Sequence, residues 1–266
     1  MLDSVFYRTL FLYMRLLQTG ITRSGNYWVY TIVQRLLQAS GVEVSRWITR
    51  QDLSGLEFQE NFAGQRQVDA LSLNPLTGEY FWRVSSVYKQ PIVDLDKYLR
   101  AVTHLWTHAP YTEALRPITR ERSHRLYVLR DLRDVLVSMS HFRGRKQGIT
   151  PEAYLAAHLE ADTRHWVDHV RSYEGASEEF LWIRYEDLLR DLPGQVRRIQ
   201  QYLGLALPTS ALDTLVSAVE FDTLQRLSPR HLRTGVSGAG EFTLTPAQLQ
   251  IIMRLAGEQL RTLAYV

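Results

Sequence analysis

Cysteine is absent from the 266-residue chain. Disulfide staples, thiolate metal sites and a cysteine nucleophile are therefore excluded. Long apolar runs are missing too: no stretch reaches the ~18 residues that mark a membrane-spanning helix. The N-terminal MLDSVFYRTLFLYMRLLQ carries Arg8 and Arg15, and its longest uncharged run, Thr9 to Met14, is shorter than a signal-peptide core. Residues 1–13 read as a peripheral helix, with Met14 an alternative start, on a soluble cytoplasmic protein. Charge of one sign is not in excess either. Lys and Arg number 31 against 28 Asp and Glu, a net charge of +3. That balance suits an anionic ligand and gives little support to nucleic-acid binding. Repeats and low-complexity segments are lacking. A composition of 45% hydrophobic and 22% charged residues is globular, and the length suits a single domain over 1–266 with a sizeable core.

The most informative stretch is Leu16 to Gln38, LLQTGITRSGNYWVYTIVQRLLQ. It reads as a short apolar strand, a polar turn over Thr22–Asn26, and a helix whose Trp28, Val29, Ile32, Val33, Leu36 and Leu37 recur at helical spacing. Ala39-Ser40-Gly41 closes that helix. A strand feeding a loop that opens a helix gathers free backbone N–H groups and the positive dipole end at one point, which is an anion site. Gly25 permits close approach, and Arg23 and Ser24 add donors. Gly20 and Gly25 have the G-x-x-x-x-G spacing of a phosphate-binding loop. Asn26 and Tyr27, however, stand where that motif needs Lys and Ser/Thr, so the hydroxyl that would hold Mg²⁺ is missing.

Downstream, short apolar strands alternate with helices. Strands are expected at Ala70–Leu73, Tyr80–Val84, Val102–Thr107, Leu126–Leu129 and Phe180–Tyr185. Helices are expected from Asp134 through Phe142, from Thr150-Pro151-Glu152 to about Tyr173, and at Pro193–Leu203, 208–219 and Pro246–Leu263. The stretch 111–125, with Arg116, Arg120, Arg122 and Arg125, reads as a basic helix or loop with a solvated face. Ser228–Gly240 reads as a mobile loop. The alternation argues an α/β fold: three layers, a mostly parallel central sheet with helices on both faces, P-loop NTPase-like. In such folds ligands sit beyond the carboxyl ends of the strands. Four strand ends carry polar residues there: Arg23-Ser24, His108, Arg130 and Tyr185-Glu186-Asp187. Arg23 and Arg130 suggest two anionic groups on one ligand. Ser138, eight residues after Arg130, can share its anion, and Arg233 is a third cation on the Gly-rich loop. Glu186 and Asp187 read as structural caps.

Taken in order, these segments resemble the sulfotransferases that use 3′-phosphoadenosine-5′-phosphosulfate (PAPS). Arg23-Ser24-Gly25-Asn26-Tyr27-Trp28 is similar to the family's [K/R]-S-G-T-T-W motif, which holds the 5′-phosphosulfate. The run Tyr127 to Ser138 is similar to the segment that binds the 3′-phosphate through Arg and Ser, here Arg130 and Ser138. Tyr185-Glu186-Asp187 resembles the Y-E-D segment. Trp166-Val167-Asp168-His169-Val170 resembles a family helix. Arg233-Thr234-Gly235-Val236-Ser237-Gly238 resembles the R-K-G-x-x-G loop, and Thr107-His108-Ala109-Pro110 the T-H-x-P that carries the acceptor's general base. The resemblance runs from about Leu16 to the end of the chain.

It implies sulfuryl transfer from PAPS to the hydroxyl, or amine, of a small-molecule or glycan acceptor, leaving the bisphosphate PAP. His108 would be the base, and Arg23 would stabilise the departing 5′-phosphate. Trp28 and Phe221 would flank the adenine, with Tyr185 at its edge. A sulfuryl group carries less charge than a phosphoryl group, so no metal is expected, in keeping with the missing Mg²⁺ hydroxyl. His104 is the runner-up base if its segment is helical. The i,i+4 pairs His104/His108 and His165/His169 lack a companion motif such as H-E-x-x-H. Departures from the family pattern fall at Asn26, Tyr27, Thr234, Ala239-Gly240 and Trp106, which stands where many cytosolic members place a Lys. Two rivals remain: a P-loop kinase of small molecules, and an adenosine-bisphosphate binder that has lost catalysis.

Overall fold

The computed structural model describes residues 14–47, 70–74, 77–84, 88–227 and 235–266. Its organising element is a seven-stranded sheet in the order β4-β3-β2-β5-β1-β6-β7. The strands are β1 (Leu16–Thr19), β2 (Ala70–Leu73), β3 (Tyr80–Val84), β4 (Tyr88–Pro91), β5 (His104–Thr107), β6 (His124–Leu129) and β7 (Leu181–Arg184). β2, β5, β1, β6 and β7 run parallel. β3 and β4 extend the edge as an antiparallel meander, built from the turn-rich region whose 74–79 turn separates two apolar runs. The expected fold class holds.

The central strands are covered on both faces, which is why they read as continuous apolar runs rather than alternating ones. On one face lie α1 (Asn26–Ala39), α6 (Tyr185–Arg190), α7 (Leu192–Tyr202) and α8 (Thr209–Val219), packed on Leu16, Leu126, Val128 and Ile183. On the other lie α4 (Leu132–Gln147), α5 (Pro151–Glu174) and α11 (Pro246–Thr262), packed on Leu17, Leu105, Tyr127 and Leu129. Shorter helices are α2 (Leu95–Ala101), α3 (Arg116–Arg120), α9 (Phe221–Leu227) and α10 (Ala239–Thr243). α1 ends as its sequence predicts: Gly41 is left-handed (φ 72°), and its N–H and that of Val42 bond back to Gln38 and Leu37. α5 begins on Thr150, whose side chain accepts from Ala153 N, with Pro151 in the first turn. Among the described residues no helix is long and apolar enough to cross a membrane.

Three sequence expectations need correcting. The strand expected from Val102 starts at His104, because Val102 caps α2, a helix the polar composition of 42–100 concealed. The Ser228–Gly240 stretch is not all loop: Ala239–Thr243 is helical, its Gly238 and Gly240 amides held by Asp134, while residues 228–234 lie outside the described set. The third concerns the basic 111–125 segment. Arg116 and Arg120 are exposed, but Arg122 is 1% exposed. Its guanidinium donates to Val102 O at 2.6 Å and Leu99 O at 3.0 Å, satisfying carbonyls at the end of α2. Burial lowers its pKa to about 10, so it stays charged at neutral pH. Removing it would orphan those carbonyls and open a core void. Arg122→Ala is expected to cost about 2–4 kcal/mol, read as the unfolding midpoint in denaturant; a loss under 0.5 kcal/mol would mean the segment is solvated after all.

Candidate active site

The site forms where β1, β5 and β6 end. β1 and β5 are level, Thr19 opposite Thr107, so the residues that follow each, Gly20 and His108, meet. His108 Nδ1 lies 2.6 Å from Gly20 O. A carbonyl can only accept, so Nδ1 carries the proton and the Nε2 lone pair is left available. Burial depresses the His108 pKa to about 4; the Gly20 bond opposes this, and the charges of Arg83 and Arg23 add to it. The ring is thus neutral at physiological pH. Its turn is braced from below. Thr107 Oγ1 accepts from Ala109 N at 3.1 Å. Tyr173 of α5 donates to Ala109 O at 2.8 Å and accepts from Thr19 Oγ1 at 2.7 Å. His104 is not an alternative base. Because its segment is a strand, it sits at the far end of β5, buried against Gln34 and stacked on Tyr30.

The loop from β1 to α1 shows why both glycines are required. At Gly20 (φ 151°) a Cβ would collide with Val128 O, and at Gly25 (φ 94°) it would stand 2.5 Å from the Tyr185 ring. Gly25 caps α1 with no side chain; its carbonyl accepts from Trp28 N at 2.9 Å and Val29 N at 3.2 Å, and the N–H groups of Asn26 and Tyr27, ahead of these, precede any intrahelical acceptor. Arg23 takes φ 75°, a left-handed conformation costing a non-glycine residue about 1 kcal/mol. Ser24 is wholly buried, and its Oγ has no partner among the described residues. The Asn26 side chain does not turn to the loop's concave side. It is buried beneath the loop, its Nδ2 donating to Ile21 O at 2.9 Å and Gly20 O at 3.4 Å, while the Asn26 backbone carbonyl accepts from Gln18 Nε2 at 2.7 Å. Asn26 therefore shapes the loop, leaving only backbone for an anion. Tyr27 lines a cleft of about 450 Å³ on the outer side of α1 with Gln34 and Arg35.

Beyond β6, Arg130 lies 4.1 Å over the Tyr185 ring. It donates to Val236 O (3.0 Å) and Arg23 O (3.4 Å), with Asp134 at 3.6 Å. Its Nε is buried and unpartnered among the described residues. Arg23 Nε donates to Ser138 Oγ at 3.0 Å. Arg23, Arg130 and Ser138, far apart in the sequence, are therefore brought together. Glu186 is structural as expected: it accepts from Asp131 N and from Tyr265 OH. Trp28 is 1% exposed, with its indole N–H on Val219 O at 2.7 Å. It meets Phe221 edge-on at 5.5 Å and Tyr185 at 5.7 Å. Gly235 packs against Phe221; Arg233 and Thr234 lie outside the described residues. Sequence reasoning missed Arg83, Tyr173 and Asp134. The Asp134 signal was present, an acid one turn after Arg130.

Three buried histidines, His104 (about 3), His108 (about 4) and His169 (about 3), have pKa values lowered chiefly by burial. Each binds a proton near pH 6.5 once unfolded. The unfolded state then holds more protons, so their stabilisation is present above pH 6.5 and is lost as pH falls towards 4 and 3. Stability should fall by roughly 2 kcal/mol per histidine between pH 7 and 5. A melting temperature flat over that range would contradict this.

A family model described as "Sulfotransferase domain" matches residues 15–261, so the chain belongs to the sulfotransferase domain family. Sulfotransferase 2B1 of Mus musculus is 29% identical over 178 residues, 58% of this chain and 53% of that protein. The Homo sapiens protein of that name is 30% identical over 179 residues, 58% and 49%. The chain thus spans about half the length of the curated relatives it matches. The fold is shared with mouse sulfotransferase SULT7A1 complexed with PAP (TM-score 0.62, 18% identity, 93% of this chain and 85% of that one). It is also shared with retinol dehydratase in complex with androsterone and inactive cofactor PAP (TM-score 0.61, 16% identity, 93% and 80%).

Proposed function

We propose that the chain transfers a sulfuryl group from PAPS to the hydroxyl or amine of a small acceptor. The observation that carries this is the placement of His108. A neutral imidazole with its Nδ1 proton fixed on Gly20 O presents Nε2 at the same strand ends as the Arg23–Gly25 loop.

The residues present fit the two charged ends of the donor. Ser24 Oγ and Arg130 Nε are buried donors without partners among the described residues, which is costly unless a ligand satisfies them. Gly25, Ser24, Arg23 and the first-turn amides of α1 would hold the 5′-phosphosulfate; Arg130 and Ser138 would hold the 3′-phosphate. The adenine end needs a rearrangement. A base between two rings requires planes roughly 7 Å apart, two contacts of about 3.5 Å each, whereas Trp28 and Phe221 touch edge-on. Phe221, only half-buried, is the ring that would swing.

PAPS, when bound, supplies an activated sulfuryl group on a good leaving phosphate. His108 Nε2 takes the acceptor's proton as the new S–O bond forms. The bond from sulfur to the bridging oxygen breaks, and that electron pair goes to the departing phosphate. Arg23 and the α1 amides stabilise the charge that develops there. Holding donor and acceptor in line at these strand ends would supply the rest of the acceleration. A test is to melt the protein with and without 1 mM PAP and to assay sulfate transfer from PAPS to phenols and amines. A shift of several degrees with turnover is expected. No shift in a folded protein would sink the nucleotide half, and a shift with no transfer to any acceptor would sink the transferase half.

A further inference from the structure

The helix that carries Trp166 to Val170 takes no direct part in the transfer described above, yet its last turn reaches the site. Tyr173 stands there, near the end of α5. It is wholly buried. Its ring packs on Tyr127, with centroids 4.6 Å apart, and meets Phe180 edge-on at 5.2 Å. A phenylalanine ring would fill that place equally well, so packing does not call for the hydroxyl. A buried hydroxyl is unfavourable unless it is bonded. This one is bonded to both of the strand ends that carry the site.

The direction of each bond follows from its partner. Ala109 O can only accept, so the Tyr173 hydroxyl hydrogen points to it, at 2.8 Å. The other contact, 2.7 Å to Thr19 Oγ1, is then donated by Thr19. Thr19 is the last residue of β1, and the next carbonyl, Gly20 O, takes the Nδ1 proton of His108. Ala109 directly follows His108. Tyr173 therefore grips the chain one residue before the acceptor of that proton and one residue after its donor. The 2.6 Å contact between Gly20 and His108 bridges two strand ends, and the hydroxyl sets their separation.

That separation has a chemical consequence. In water a neutral histidine ring favours the tautomer with its proton on Nε2. The proton stays on Nδ1, leaving Nε2 bare, only while an acceptor is held against Nδ1. The two sides of the contact are braced differently. Gly20 is held from beneath by Asn26, and β1 is paired with β5 on one side and β6 on the other. The turn after β5 has left the sheet, and the last turn of α5 ties it down. Ser172 Oγ accepts from Tyr111 N at 2.9 Å, and Tyr173 holds Ala109 O.

We propose that Tyr173 is a positioning residue: its hydroxyl holds the ends of β1 and β5 at the spacing that keeps the His108 proton on Nδ1. The consequence for catalysis rests on the sulfotransferase reading; the tautomer does not. The donor loop keeps its own brace in Asn26, so the effect falls on the base and not on nucleotide binding.

The test reads tautomer and rate separately. NMR of the imidazole nitrogens at neutral pH, with the His108 signals assigned by their loss in His108→Gln, tells a protonated Nδ1 from a protonated Nε2. The native chain should show Nδ1–H at His108, and Tyr173→Phe a mixture of the two forms. In the same variant kcat for transfer from PAPS to a phenol should fall about 10- to 100-fold, with PAP affinity by calorimetry within about threefold of native. Arg122→Ala, destabilised but remote from the strand ends, should leave the tautomer native wherever it is folded, which separates positioning from lost stability. A native His108 protonated on Nε2, or a folded Tyr173→Phe with the tautomer unmoved, would overturn the proposal. If Tyr173→Phe does not fold, Thr19→Val takes its place. It removes one bond to the hydroxyl and keeps the other, so the same changes are expected at smaller size, and an unmoved tautomer again overturns the proposal. A tautomer that shifts in a chain that sulfates no acceptor would count against the transferase reading and leave the role of Tyr173 standing.

Discussion

A His108→Ala variant is expected to lose about 10²–10⁴-fold in kcat for sulfuryl transfer while binding PAP within about threefold of the native chain. The split follows from the geometry. The imidazole sits at the end of β5, outside the groups that would hold the nucleotide, and its Nδ1 donates to Gly20 O. His108→Gln is the informative companion, since an amide can still donate to Gly20 O but offers no basic nitrogen. It should bind PAP normally and be as inactive as the alanine variant. The pH profile sharpens the claim. With the His108 pKa held at about 4, the free enzyme's base is already deprotonated at pH 5.5. The kcat/KM for a phenol acceptor should therefore stay level from pH 5.5 to 8 and fall only as pH approaches 4. An acid limb centred near 6.5, the value of an unburied histidine, would mean that the ring is solvated or that a different group is the base.

The core of this arrangement could be read from sequence because it depends on local pattern. Strand, turn and helix over Leu16–Gln38 follow from periodicity and two glycines, and each glycine proves to face backbone or a ring where no Cβ fits. The parallel sheet followed from apolar runs alternating with helices. The motif order points Arg23, Arg130 and Ser138 at one ligand, and Arg23 bonds both of the others. What escaped depended on long-range partners. Arg122 looked like one of four solvated arginines, since nothing local says that the end of α2 will arrive 20 residues away in need of donors.

Asn26 shows a different limit. Its replacement of the expected Thr looked like damage to an anion loop. In the structure its carboxamide ties Gly20 and Ile21 from beneath, so the side chain has changed task while the backbone presents the same surface. Sequence identifies which group is missing but not whether the backbone already does that group's work. Trp28 is a third case. Helical spacing placed it in the core and the resemblance placed it on the base, and its 1% exposure with Val219 O on its N–H fits the first. The second requires Phe221 to leave.

The 3′-phosphate assignment predicts a loss that depends on which nucleotide is offered. Arg130→Ala should weaken PAP binding by about 30- to 1,000-fold, the cost of removing one partner from a desolvated charge pair. Adenosine 5′-phosphate, lacking the 3′ group, should bind the native and variant chains alike. The side chain is preorganised for the task. Tyr185 supports the guanidinium face at 4.1 Å, and Val236 O and Arg23 O fix its nitrogens. Asp134 stands at 3.6 Å, close enough to hold the charge but not in a close ion pair. Loss of Arg130 should not unlatch the 235–240 segment, because Asp134 keeps the amides of Gly238 and Gly240 at 3.0 and 2.8 Å. A general collapse of nucleotide binding is thus not the expected outcome. Titration of both nucleotides against both chains by calorimetry separates the cases. A native preference for PAP that vanishes in the variant places the 3′-phosphate on Arg130. Equal weakening of both ligands would mean that Arg130 only props the Arg23 loop, and the 3′ group would then have to be sought on the segment containing Arg233.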